Sequence, residues 1–195
     1  MTARVAPATG PWARVGTFLA RRQYGPAITE SVGVYAHNPR LMNWFVAFNR
    51  AVEKPDHVPM KLRELAVLKA ATVAECEFCI DIGSEYARRA GLSDEQLLAL
   101  HDAEGSGLFD ADELLVIAYG RAMSVTPTAV TDELVAALRA RWGDRGVLEL
   151  THLIAWENAR ARTNAALGVG AGGFSAGRAC ARPASAGSAS LEHAH

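Results

Sequence analysis

The sequence has no apolar run approaching the roughly 20 residues needed to cross a bilayer; the longest, at 114–119, is under two helical turns. A membrane span is not expected. A basic surplus is also missing, since 20 Lys and Arg face 21 Asp and Glu for a net charge of −1, and no block of five like charges occurs. Nothing here grips a phosphate backbone, so nucleic acid is not expected as a partner. Cysteine is scarce: the three present cannot all pair within one chain, and Cys76 and Cys79 are too close in sequence to staple distant parts of a fold. The first 22 residues hold no sustained apolar stretch and carry arginines at both ends, which argues against a secretory leader. Together these absences point to a soluble cytoplasmic protein whose cysteines serve chemistry rather than scaffolding.

Period-two alternation bounded by turn signals is absent as well, whereas helical spacing of apolar residues runs almost throughout. The fold class expected is all-α. The chain has 195 residues, half of them apolar, which suffices for one domain that buries about two thirds of its unfolded surface. Asn38 followed by Pro39 marks the start of a helix over 40–52, because the Asn side chain caps free amides and proline fits the first turn. Further helices are expected over 59–73, 78–90 (stopped by Gly91), 94–101 (capped by Ser93 with Gln96), 111–124, 132–142 and 144–167. After Gly168 the composition turns to Gly, Ala, Ser and Arg, with little large enough to pack. The domain is therefore drawn over 1–169, with 170–195 as a disordered tail in which Cys180 is an incidental exposed thiol. The first ten residues are expected to be loose.

The informative segment is 63–91, RELAVLKAATVAECEFCIDIGSEYARRAG. Cys76 and Cys79 are three apart, so on one helix their Cα atoms fall about 5 to 6 Å from each other, within disulfide range. They also sit where one helix gives way to the next, and free amides at a helix start stabilise a thiolate. A zinc site needs four ligands, and no second Cys or His pair accompanies this one, so no metal is expected. A thioredoxin-like fold needs strands around its motif. Two buried inert thiols are the bland alternative.

Glu64, eleven intervening residues, Cys76, two residues and Cys79, followed by GSEYARRAGLSDEQLLAL and later ENARARTNAALG, resemble the carboxymuconolactone decarboxylase and alkylhydroperoxidase D-like family. The resemblance spans about 41–168. It implies an all-α, cofactor-free domain that assembles into homo-oligomers. In redox-active members the second cysteine attacks peroxide, the first resolves it as a disulfide, and an upstream glutamate relays protons. Those roles fall here to Cys79, Cys76 and Glu64. Read without the family, Glu64 is a solvated helix-face acid paired with Lys61 or Arg63.

One position departs from the family. Peroxidase members carry a histidine four residues after the second cysteine, and here that residue is Gly83. Glu75, Glu77, Asp81 and Glu85 also crowd the motif, and like charges raise a thiol pKa. His152 is the one centrally placed histidine to nominate as a substitute; its plainer role is a hydrogen bond at a helix interface. Trp44, Trp142 and Trp156 read as core or interface anchors. Glu157, Asn158, Arg160 and Arg162 line either a polar pocket or a charged stripe. The function expected is a thiol-dependent oxidoreductase, peroxidase or disulfide reductase-like, acting on a small hydroperoxide or small acid with a thiol reductant as partner. The alternatives are a decarboxylase-like enzyme on a small lactone acid and a non-enzymatic oligomeric redox sensor.

Overall fold

The computed structural model describes residues 3–54 and 57–181. The described residues are helical, without a strand: α1 Pro11–Tyr24, α2 Thr29–Tyr35, α3 Pro39–Val52, α4 Met60–Val73, α5 Glu77–Arg89, α6 Asp94–Ala99, α7 Ala103–Ser106, α8 Ala111–Ser124 and α9 Asp132–Leu167. None of these helices is long and apolar enough to cross a membrane.

The centre is α4, which packs against α5, α8 and α9. Its sequence is apolar on nearly every face, and Leu62, Leu65, Ala66, Val67, Leu68, Ala70 and Ala71 are all buried, as expected of a helix with neighbours all round. Even Lys69 lies inside, its ammonium donating to the Leu100 carbonyl at 3.0 Å. Close approach of α8 depends on Gly120, because a Cβ there would stand 2.6 Å from the Ala66 carbonyl oxygen. The start signals act as the sequence implies. Asn38 accepts from the amides of Arg40 and Leu41, while Ser93 with Gln96 and Asp110 with Glu113 form capping boxes. The two helices expected over 132–142 and 144–167 are arms of α9 that meet at Gly143, whose φ of 65° and ψ of 179° break the helical path.

Three stretches differ from expectation. Helices α1 and α2 were not expected; Trp12, Val15, Phe18 and Leu19 of α1 fall at helical spacing, and in the structure all four are exposed. From Ala3 on, the opening residues are tied down rather than loose, residues 1 and 2 lying outside the described part: the amides of Ala3, Arg4 and Ala8 donate to Glu30, Leu167 and Gly33. The expected tail also needs correction over its described part. Residues 170–181 form a strap along α5, held by backbone groups that composition does not reveal. The Asp81 carboxylate accepts the amides of Gly173, Phe174 and Ser175 at 2.6, 3.0 and 2.7 Å. Phe174 meets Phe78 edge-on, and Arg88 reaches the Ala179 carbonyl. Cys180, expected as an exposed thiol, is half-buried with its Sγ 3.4 Å from the Ser84 hydroxyl. The remainder of the expected tail, 182–195, lies outside the described residues.

Candidate active site

A short turn from α4 into α5 sets the cysteine pair. The amide of Glu75 bonds back to Thr72 and that of Cys76 to Ala71. Glu75 takes a left-handed φ of 53°, a conformation uncommon for a residue with a side chain. This reverses the chain so that Cys76 becomes the N-cap of α5, its Sγ accepting the Cys79 amide at 3.2 Å. Cys76 and Cys79 lie at disulfide distance, with Cα atoms 5.2 Å apart. Both are more deeply enclosed than a solvent-facing dithiol, at 2% and 5% exposure.

The Cys79 sulfur is not in purely apolar surroundings. The side-chain amide of Asn164, on the last turns of α9, donates to it at 3.6 Å. The carbonyl end of the same amide accepts from the Tyr35 hydroxyl of α2 at 3.3 Å. Glu157, Arg160 and Asn164 are spaced three and four apart, which places them on one face of α9. Arg160 bonds to the Glu157 carboxylate at 2.6 Å and to Asn49 of α3 at 2.8 Å, with Glu53, just past the end of α3, at 3.8 Å. The second carboxylate oxygen of Glu157, Oε1, has no hydrogen-bond partner among the described residues. Tyr35, Asn49, Glu53, Glu157 and Arg160 thus form a polar chamber beside the aromatic contacts of Phe45, Phe48 and Trp156.

Glu64 faces this chamber from α4. It is half-buried, and burial, reinforced by the negative charges of Glu53 and Glu157, raises its carboxyl to about 7 against the partial opposition of Arg63 and Arg160. It is therefore not the solvated acid that its sequence neighbours imply, and Lys61 pairs with Glu113 instead at 2.6 Å. Burial also drives the Glu157 carboxyl upward, with Arg160 opposing. Glu64, held near 7, therefore gives the chamber a carboxyl that can exchange a proton near neutrality.

The other expectations separate clearly. His152 is exposed, with its Nδ1 3.0 Å from the Leu148 carbonyl oxygen, and it plays no part at the sulfurs. Gly83 is buried; a Cβ there would meet Leu68 Cδ1 at 3.2 Å. Trp156 is core, whereas Trp44 is exposed and rests edge-on against it. Asn158 bonds to Ser124, and Arg162 to Asn158 rather than to the chamber. Asn164 and Tyr35 were not foreseen; the continuation of the 157, 160, 164 spacing was the available signal. Among the described residues no group of three His, Cys, Asp or Glu is placed to hold a metal ion. Two cavities of about 740 and 630 Å³ lie along the N-terminal segment, α1 and α2, and neither is lined by Cys76 or Cys79.

An all-α fold that presents a Cys-x-x-Cys pair at the start of a buried helix agrees with the resemblance the sequence carries to the carboxymuconolactone decarboxylase and alkylhydroperoxidase D-like family. The sequence profile of the carboxymuconolactone decarboxylase family matches residues 39–115. YnjA of Escherichia coli K12 is 35% identical over 165 residues, covering 83% of this chain and 88% of that protein. The chain belongs to the carboxymuconolactone decarboxylase family. Its fold is shared by apo debrominase Bmp8, with a TM-score of 0.70 at 20% identity over 84% of this chain and 89% of Bmp8. It is also similar to ATU0492 of Agrobacterium tumefaciens, a protein of unknown function assigned provisionally to AhpD-type antioxidant defence. That match has a TM-score of 0.63 at 20% identity and covers 69% of this chain and 92% of ATU0492.

Proposed function

We propose that this protein is a thiol-dependent oxidoreductase in which Cys79 and Cys76 cycle between dithiol and disulfide. The observation that carries the reading is the pair itself, at disulfide distance on the capped first turn of α5 and joined by hydrogen bonds through Asn164 to Tyr35. The Cys79 thiolate attacks a hydroperoxide oxygen, the O–O bond breaks, and the departing alkoxide takes a proton to leave as an alcohol. Cys79 is then a sulfenic acid. The Cys76 thiolate attacks that sulfur, the S–S bond forms, and hydroxide leaves as water once protonated. An external dithiol restores both thiols by exchange. Glu64 supplies and recovers the protons, a task suited to a carboxyl held near 7.

A small lactone acid is less well served, because Arg160 is already engaged by Glu157 and Asn49. The likeness to Bmp8 is one of fold, and a structure of that debrominase in which one cysteine is replaced by alanine holds 2,3,4-tribromopyrrole; a brominated pyrrole is thus a second compound for the same assay. The family's homo-oligomeric habit is consistent with the exposed apolar side chains of α1 and with Leu41 and Trp44 on α3. Light scattering that finds only monomer at micromolar concentration removes that part of the reading. The cytoplasm, where reductants keep such a pair cycling, is the compartment it fits.

The deciding experiment is peroxide consumption with a dithiol reductant. Cys79→Ser is expected to abolish it. Undiminished turnover by that variant defeats the reading.

A further inference from the structure

The family's histidine position is empty of a side chain at Gly83, yet the Cys79 sulfur still receives a side-chain hydrogen bond, and it comes from another helix. Asn164 is 3% exposed, so its amide is committed to the partners it has inside the fold. Its two ends are not interchangeable. A thiolate sulfur can only accept, so it takes the N–H end, with Nδ2 at 3.6 Å, and Oδ1 is left to accept from the Tyr35 hydroxyl at 3.3 Å. An N–H aimed at sulfur favours the thiolate over the thiol, because it stabilises the charged form. Tyr35 is held from a second side by the Thr163 hydroxyl and by its ring contact with Phe45, so the hydroxyl does not wander.

We propose that Asn164 and Tyr35 are positioning residues for the Cys79 thiolate, together supplying from α9 and α2 the polar contact that Gly83 does not supply from α5. This rests on the reading of Cys79 as the reacting thiol. The arrangement differs in kind from an imidazole one turn along the same helix. A neutral amide orients and stabilises the sulfur without taking its proton, and proton traffic is left to the chamber carboxyls.

The test isolates the sulfur from turnover. In a Cys76→Ser, Cys180→Ser background the Cys79 thiolate is titrated by its absorbance near 240 nm. Serine at 76 retains an oxygen to cap α5. The charged and titratable groups around the site stay in place throughout: Tyr35 on α2 except in its own variant, Glu53 just past α3, Arg63 and Glu64 on α4, Glu75 and Glu77 with Asp81 about α5, and Glu157 with Arg160 on α9. Replacing Asn164 by Leu is expected to raise the titration midpoint by about one pH unit, a roughly tenfold loss of thiolate at pH 7. Tyr35→Phe keeps the ring and removes only the hydroxyl. Since 3.3 Å is long for an O–H···O contact, a smaller rise is expected, about threefold in thiolate. Asn164→Asp, which sets a carboxylate against the sulfur, should raise the midpoint at least as far as Leu.

Unchanged midpoints in Asn164→Leu and Tyr35→Phe, with native circular dichroism, overturn the proposal. If Asn164→Leu does not fold, Tyr35→Phe decides alone. Failure of the oxidoreductase reading shows separately, as peroxide turnover that survives Cys79→Ser.

Discussion

Cys76 Sγ accepts the backbone N–H of Cys79 at 3.2 Å, so the first cysteine of the pair caps the helix that carries the second. A serine at 76 preserves that cap while removing the resolving thiol. Cys76→Ser is therefore expected to fold normally and, on brief exposure to peroxide, to accumulate Cys79 as a sulfenic acid. The measurement is mass spectrometry after trapping with a dimedone-type reagent. The parent protein should instead lose two hydrogens from the peptide that spans both cysteines, reversibly with a dithiol. A Cys76→Ser protein with no trapped adduct assigns the first attack elsewhere.

Glu64 carries a pH signature. Its carboxyl is raised from 4.5 to about 7 in the folded protein, so between those values the folded state binds more protons than the unfolded one. Stability contributed by this group is present at low pH and falls as pH rises through that window, by up to about 3 kcal/mol. Glu64→Gln removes the titration. The variant is expected to match the parent near pH 4.5 and to be more stable than it at pH 8 in chemical denaturation, while its peroxide turnover falls at least tenfold. Equal pH dependence of the two proteins assigns the proton to another group.

The strap is anchored at one carboxylate. Asp81 accepts three backbone amides from 173–175, and its loss leaves the buried Ser175 amide and two partly buried ones unpaired. Asp81→Ala should cost about 2 to 3 kcal/mol and expose the strap to limited proteolysis. Cleavage no faster than in the parent shows that the other strap contacts suffice.

Restoring the family histidine should not restore the family chemistry. A Cβ at position 83 already meets Leu68 Cδ1 at 3.2 Å, and an imidazole beyond it must displace core side chains of α4. Gly83→His is expected to lower stability by about 1 to 3 kcal/mol through overpacking, read as a lower melting temperature, without a gain in peroxide turnover. A gain would show that the core yields more readily than its packing indicates.

The central bundle was legible in the sequence because 60–73 and 111–124 are dense in helix-forming apolar residues, and because Asn38, Ser93, Asp110 and Gly91 act locally. Helix α1 was missed although Trp12, Val15, Phe18 and Leu19 fall three and four apart along one face, because its start at Gly10 and Pro11 carries no side-chain cap. The strap escaped because main-chain groups hold it, and no composition encodes them. Of the site, the cysteine spacing and Glu64 were recognisable along the chain, although the deep burial of the pair was not. Asn164 and Tyr35 meet beside Cys79 only in three dimensions, across 85 and 44 residues of sequence, and no local motif announces them.

The glycine joint in α9 has a wider implication. On one side of Gly143 lies an arm whose Leu138 is fully enclosed, and on the other the arm that carries Glu157, Arg160 and Asn164. A backbone conformation open chiefly to glycine lets each arm settle at its own angle. Leu138 from one arm and Leu150, Ile154 and Ala161 from the other nevertheless enter a single core, so a redesigned angle at this joint must be accommodated on both sides of it.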